Sequence, residues 1–262
     1  MQRPQDLARV ASELVEDLAA DGVVHAEVRF APQLHTRRGL RLQEVVDTVH
    51  GALTAAGARH GVEVGLILCC LRHETAAQSV VVAELAAANR AKVCALDLAG
   101  DEGSFPDASP HREAFALAAE AGLHRTVHAG ENGGAASVRQ ALDLLGAERI
   151  GHGVRVIEDP ALVDRIAADG IALDMCPRSN VQTRAVPSLA EHPIDRLLRR
   201  GIRVTVSTDG RTLCGTTLTR ELETLRRQFG WGADEIARCQ VNAAQAAFLD
   251  ADGRTRLVAR VG

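Results

Sequence analysis

Four residues of this chain have types and spacing that could do chemistry together. His128 stands at the end of the apolar run "HRTVHAG", and Glu131 follows three residues later, beyond Gly130. His152 lies between two glycines in "RIGHGVR", and Asp209 closes "RVTVSTD", an apolar run with no packing reason to finish in an acid. Imidazole and carboxylate are donors suited to zinc or a similar borderline ion. Such an ion acidifies a bound water to hydroxide at neutral pH, and a carboxylate outside its coordination sphere can carry protons. Each residue alone also has a plain structural reading, since a strand-end histidine is commonly a packed one. Glycines inside a strand weaken it, so the pair around His152 marks a close approach. Together the four residues point to a metal-dependent hydrolase.

The elements that must position them alternate from end to end. Residues 23–32, 62–73, 93–100, 124–130, 149–153, 171–177 and 203–209 read as strands. Between them run helical stripes, beginning with Leu7, Val10, Ala11, Leu14, Val15 and Leu18 and continuing with Leu42, Val45, Val46, Val49 and Leu53. Proline opens some of these helices and glycine closes several. Near-continuous apolar strands alternating with helices predict a parallel sheet covered on both faces. An open doubly wound sheet and a (β/α)8 TIM-type barrel both satisfy that pattern. No glycine-rich phosphate fingerprint follows the first strand. The unusual residues all fall at strand C-termini, which converge on one site in a barrel. The expectation is therefore an α/β chain, residues 1–262, forming a single (β/α)8 domain with seven of its eight strands readable and the first absent.

Composition narrows the partners. The formal charge is −4, aromatic residues make up 2% and tyrosine is absent. A scattered set of basic residues offset by acids, with few aromatics for stacking, excludes a nucleic-acid surface. No apolar run reaches the length of a membrane span, and the N-terminal residues do not read as a signal peptide. The cysteines at 69, 70, 94, 176, 214 and 239 form no Cys-x-x-Cys pair, and they read as reduced thiols of a cytoplasmic protein. The oligomeric state is not legible.

The ordered set "LDLAGDE" (96–102), "HRTVHAGE" (124–131), "RIGHGVR" (149–155), "CPRSNVQT" (176–183) and "STDG" (207–210) resembles the adenosine deaminase family. "EVRFAPQLH" and "LILCCLRH" match the family's earlier strands as well. The resemblance implies a Zn2+-dependent barrel that uses a zinc-activated hydroxide to convert adenosine, or a close 6-aminopurine nucleoside, to inosine and ammonia. It implies that His128 and Asp209 are zinc ligands and that Glu131 protonates purine N1. It also implies that His152 orients the attacking oxygen and that the backbone N–H of Gly100 meets purine N3.

Two features depart from the family. No His-x-His occurs, although the family's opening strand supplies two zinc ligands in that form. The absent strand and the absent ligands are one missing piece, expected from truncation or a late start. The alternative is a catalytically impaired relative that binds a purine or a protein partner. Gly210 stands where many members carry a second acid that contacts purine N7. A two-metal amidohydrolase built on a bridging lysine is disfavoured, because no lysine ends a strand. Asp97 and Asp101 could serve the site or cap the next helix. Arg155 and Arg178 are expected to pair with nearby acids and His73 to be packed or solvent-facing, while His192 carries no motif.

Overall fold

The computed structural model describes all residues, Met1–Gly262. They divide into two compact units, one of residues 1–99 and 110–125, the other of residues 100–109 and 126–262.

In the first unit, helix α1 (Pro4–Ala20) starts on a proline and buries Leu7, Ala11, Val15 and Leu18. Strand β1 (His25–Phe30) leads to α2 (Leu42–His60), where Glu44 accepts the Arg41 backbone N–H at 2.8 Å. Gly61, in the left-handed conformation, ends that helix. Strand β2 (Glu63–Leu71) is followed by α3 (Ala76–Ala88), which is capped reciprocally by Thr75 and Gln78. Strand β3 (Ala95–Ala99) and helix α4 (Arg112–Glu120) complete the unit, with the first residues of β4 (His124–Ala129). Leu66, Ile67, Leu68, Leu96 and Leu98 are fully buried. Each such side chain contributes about 1.5–3 kcal/mol of transfer free energy.

The second unit carries the rest of β4, α5 (Gly134–Asp143), β5 (Arg149–His152), α6 (Pro160–Asp169) and β6 (Ala172–Met175). Helices α7 (Pro177–Gln182) and α8 (Ile194–Arg199), strand β7 (Arg203–Val206) and the short α9 (Arg211–Cys214) follow. Helices α10 (Leu218–Phe229), α11 (Ala233–Ala246) and α12 (Ala251–Val261) close the chain. Asp159 caps α6 by accepting the Leu162 N–H, and Thr217 caps α10 through Arg220 N–H. Val127, Val138, Ile150, Leu162, Ile166, Leu173 and Val204 are buried.

Every strand pairs in parallel with the next in the chain, giving the order β1 to β7. That is the topology of a (β/α)8 TIM-type fold with seven strands, the alternative that the strand-end residues favour over an open doubly wound sheet. The strands are shorter than the apolar runs suggest, because glycines, prolines and polar turns take over at their ends. Helix α12 is not legible from periodicity, because glycine and arginines interrupt its apolar residues and its start depends on Asp250 accepting the Gly253 N–H at 2.7 Å. All six cysteines are free thiols. No helix is long and apolar enough to cross a membrane.

Candidate active site

Strands β4 to β7 bring the four singled-out residues to one end of the second unit. The β4–β5 register sets His128 opposite Gly151 and Ala129 opposite His152. The rings of His128 and His152 lie 5.2 Å apart between centroids, tilted by 49°. His152 Nε2 is 3.7 Å from Glu131 Oε2. The other Glu131 oxygen, Oε1, accepts a hydrogen bond from the Thr183 hydroxyl at 2.7 Å. Asp209, just past β7, accepts from the Ser179 hydroxyl at 2.6 Å. Asn180, next to Ser179, is within 3.0 Å of His152 Nδ1. The predicted residues thus belong to one connected set, with the first turns of α7 as the link.

The backbone at these positions is unusual. His152 (φ 65°), Arg184 (φ 63°) and Asp209 (φ 54°) are the non-glycine residues in the left-handed region. Histidine and aspartate tolerate that region better than most residues, but it still costs energy that the surrounding structure must hold in place. Of the two glycines flanking His152, Gly153 marks a close approach, and Gly130 marks another. Gly153 has φ 63°, and a Cβ there would meet Leu173 Cδ2 at 2.7 Å. Gly130 has φ 71°, and its Cβ would meet Val138 Cγ2 at 2.6 Å. Their closeness lets Gly153 N–H reach the Ala129 carbonyl (2.9 Å) and Arg155 N–H the Gly130 carbonyl (2.8 Å), locking the two strand-end loops together.

Glu102 was quoted in a motif but not given a role, and it proves central to this arrangement. It is 2% exposed. Its carboxylate accepts the backbone N–H groups of Gly130 (2.8 Å), Glu131 (2.9 Å) and Asn132 (3.3 Å). It therefore fixes the backbone that carries Glu131. Glu221, also 2% exposed, plays a similar part behind α7, where it accepts from Arg178 N–H (3.1 Å) and the Thr216 hydroxyl (2.6 Å). Burial raises its pKa above the usual carboxylate value. Ser179, Asn180, Thr183, Glu102 and Glu221 are short-range polar residues without a spacing signature. Only the partner each one faces marks them: Ser179, Asn180, Glu102 and Glu221 from buried positions and Thr183 from an exposed one.

His192 carries no sequence motif, yet it is buried and its Nε2 lies 3.2 Å from Asn180 Oδ1. Burial first, and the neighbouring His152 second, push its pKa down to about 4. Arg155 pairs with Glu158 at 2.7 Å, as expected. Arg178 instead directs its guanidinium to the Cys214 carbonyl at 2.6 Å. Asp101 folds back on Gly103 and Ser104 in the turn after β3 and caps no helix. Asp97, in the first unit, is fully buried and accepts from the Cys69 thiol at 3.3 Å, with Arg29 at 3.5 Å. His73 is exposed. Gly100 adopts φ 119°.

The metal question turns on donor type and number. His128 and Asp209 offer the nitrogen and oxygen donors that zinc accepts. No group of three or more His, Cys, Asp or Glu side chains in the chain is arranged to hold an ion. The residues fit zinc in kind and supply part of the three or more protein ligands that a catalytic site takes.

A parallel βα array with histidine and carboxylates gathered at its strand ends defines a barrel hydrolase. Comparison with known proteins refines the class. The sequence profile of the adenosine deaminase family matches residues 1–262. The adenosine deaminase of Mycobacterium ulcerans is 43% identical over 278 aligned positions, covering 100% of this chain and 76% of the relative. An adenine deaminase from Arthrobacter aurescens superposes with a TM-score of 0.94 at 34% identity, covering 100% of this chain and 80% of its own. A zinc-bound amidohydrolase from Burkholderia ambifaria superposes with a TM-score of 0.93 at 28% identity, over 99% of this chain and 72% of its own. The chain belongs to the adenosine deaminase family.

Proposed function

We propose that residues 1–262 act as one deaminase domain that hydrolyses adenosine, or a close 6-aminopurine nucleoside, to inosine and ammonia. The observation that carries this reading is the connected set of His128, Glu131, His152 and Asp209, tied through Thr183, Asn180 and Ser179. Glu131 protonates purine N1, which draws electrons from C6 and opens it to attack. The Thr183 hydroxyl holds one carboxyl oxygen of Glu131 at 2.7 Å, which leaves the other free to face the purine. His152 donates a hydrogen bond toward the oxygen that becomes bonded to C6. One proton of the consumed water leaves with the departing amine as ammonia and the other restores the Glu131 carboxyl, whose own proton stays on N1 of inosine, so one water is consumed for each ammonia released. The Gly100 N–H meets purine N3. His128 and Asp209, a nitrogen and an oxygen donor of the kind zinc accepts, would hold Zn2+. Zinc, when bound, supplies an acidified water as nucleophile at neutral pH.

Glycine at position 210 offers no side chain to purine N7, so recognition of the base falls on Glu131 and Gly100. The solved neighbour described as an adenine deaminase makes free adenine the competitor to test. The free thiols fit a reducing compartment such as the cytoplasm. A second reading, purine binding without turnover, is favoured by one observation: the chain gathers no three-ligand group.

The experiment is Glu131→Gln in the chain extended by an upstream His-x-His strand, with metal content and adenosine turnover measured together. The expected result is equal zinc and a fall in kcat of about 10²–10⁴-fold, the range for losing a general acid. Equal kcat refutes the role of Glu131. No turnover by the extended wild-type chain, with purine still bound, supports the second reading.

A further inference from the structure

His152 and Glu131 are in the proposed machinery, but what holds the His152 ring in one protonation form lies deeper in the fold. Behind it runs a chain of polar contacts that ends on backbone amides. The Ile194 N–H donates to His192 Nδ1 at 3.2 Å. A nitrogen that accepts carries no proton, so neutral His192 holds its proton on Nε2. That atom faces Asn180 Oδ1 at 3.2 Å. The Cys176 backbone N–H donates to the same oxygen at 3.3 Å. Two donors thus converge on Oδ1, and the reversed amide would set its own NH2 against both. The orientation of Asn180 is therefore fixed by the hydrogen bonds and does not depend on resolving oxygen from nitrogen. Its Nδ2, which can only donate, lies 3.0 Å from His152 Nδ1. Asn180 is fully buried, so water does not offer an alternative partner for its amide.

We propose that Asn180 is a positioning residue that sets the tautomer of His152, leaving Nδ1 as an acceptor and placing the ring proton on Nε2, the nitrogen that faces Glu131. His192 and the Cys176 amide hold Asn180 in the orientation this requires. The low pKa of His192, about 4, keeps that ring neutral across the physiological range. His152 then enters the reaction as a hydrogen-bond donor at Nε2 and cannot take a proton there as a base. The kinetic consequence rests on the deaminase reading; the tautomer itself does not.

The test is nitrogen NMR of the metal-free protein labelled with 15N-histidine, read at mildly alkaline pH. The expected spectrum gives His152 a protonated Nε2 and a lone-pair Nδ1. A proton on Nδ1 overturns the proposal. Asn180→Asp replaces the donor with an acceptor, so the ring should invert to Nδ1–H. In the metal-loaded, extended chain that variant should lose up to about 10⁴-fold in kcat with KM nearly unchanged, the loss seen when a catalytic histidine is held in the wrong tautomer. An uninverted ring in a folded Asn180→Asp protein overturns the proposal. The wild-type spectrum decides the matter even where that buried charge prevents folding. An Nε2–H ring in a protein that turns over no adenosine leaves this inference standing and removes the deaminase reading.

Discussion

Replacing Glu102 with glutamine keeps the side chain's shape and removes its charge. In the wild-type protein Oε2 accepts the Gly130 N–H, while Oε1 accepts those of Glu131 and Asn132. Glutamine retains one acceptor oxygen, and its NH2 must face a backbone donor. If the oxygen keeps Glu131 and Asn132, the Gly130 N–H is left unpaired in a buried place, at about 1–3 kcal/mol. The two surviving bonds change from charged to neutral acceptors, which loses about 1 kcal/mol each. The total is roughly 4 kcal/mol, and at about 2–3 °C per kcal/mol for a chain of this size the midpoint should fall by about 10 °C. Because the carboxylate is 2% exposed, added salt should change that loss little. The loop would also release Glu131 from its position, and a shift near 1 Å costs about 10²-fold in rate. Thermal unfolding and steady-state adenosine turnover of the two proteins, side by side, make the assay. A midpoint within about 3 °C of wild type, with kcat unchanged, would refute the claim that Glu102 holds the catalytic loop.

Gly153→Ala should destabilise by roughly 2–4 kcal/mol, since the left-handed φ and the 2.7 Å approach to Leu173 both act against a Cβ. Urea unfolding checks it, and a loss under about 0.5 kcal/mol, a surface-like value, contradicts it. Glu221 has a raised folded-state pKa, so between its unfolded and folded values the native state binds more protons than the unfolded one. Its contribution to stability is therefore present at acid pH and lost as pH rises through that window. Glutamine at 221 can accept from Arg178 N–H and donate to the Thr216 oxygen, so it should remove this alkaline-going loss while preserving the fold. Unfolding midpoints measured across pH would show two parallel curves if this reasoning is mistaken.

Much of this architecture can be read from residue pattern, and the limits are physical. The seven strands and the helices from α1 to α11 that carry apolar stripes follow from periodicity, because each must bury one face. His128, Glu131, His152 and Asp209 are legible because chemistry-bearing residues at the ends of apolar strands lack a packing reason. Ser179, Asn180, Thr183 and His192 are not, since their significance is the partner each faces across the fold. His192 shows this most sharply: nothing near it in sequence marks it, and Asn180, its partner, lies twelve residues away in the fold's interior. Asp97 shows the reverse case. Its strand-end place left a site role and a helix cap equally open, and it is buried against Cys69 and Arg29.

The account's central claim is hydrolytic loss of the 6-amino group of a purine nucleoside. Its most direct test is incubation of the metal-loaded, extended chain with adenosine in water enriched in 18O, followed by mass analysis of the products. The account predicts inosine carrying one 18O at C6 and one equivalent of ammonia. Recovery of unchanged adenosine, or of a product in which the sugar–base bond has been cut while the amino group remains, would contradict it.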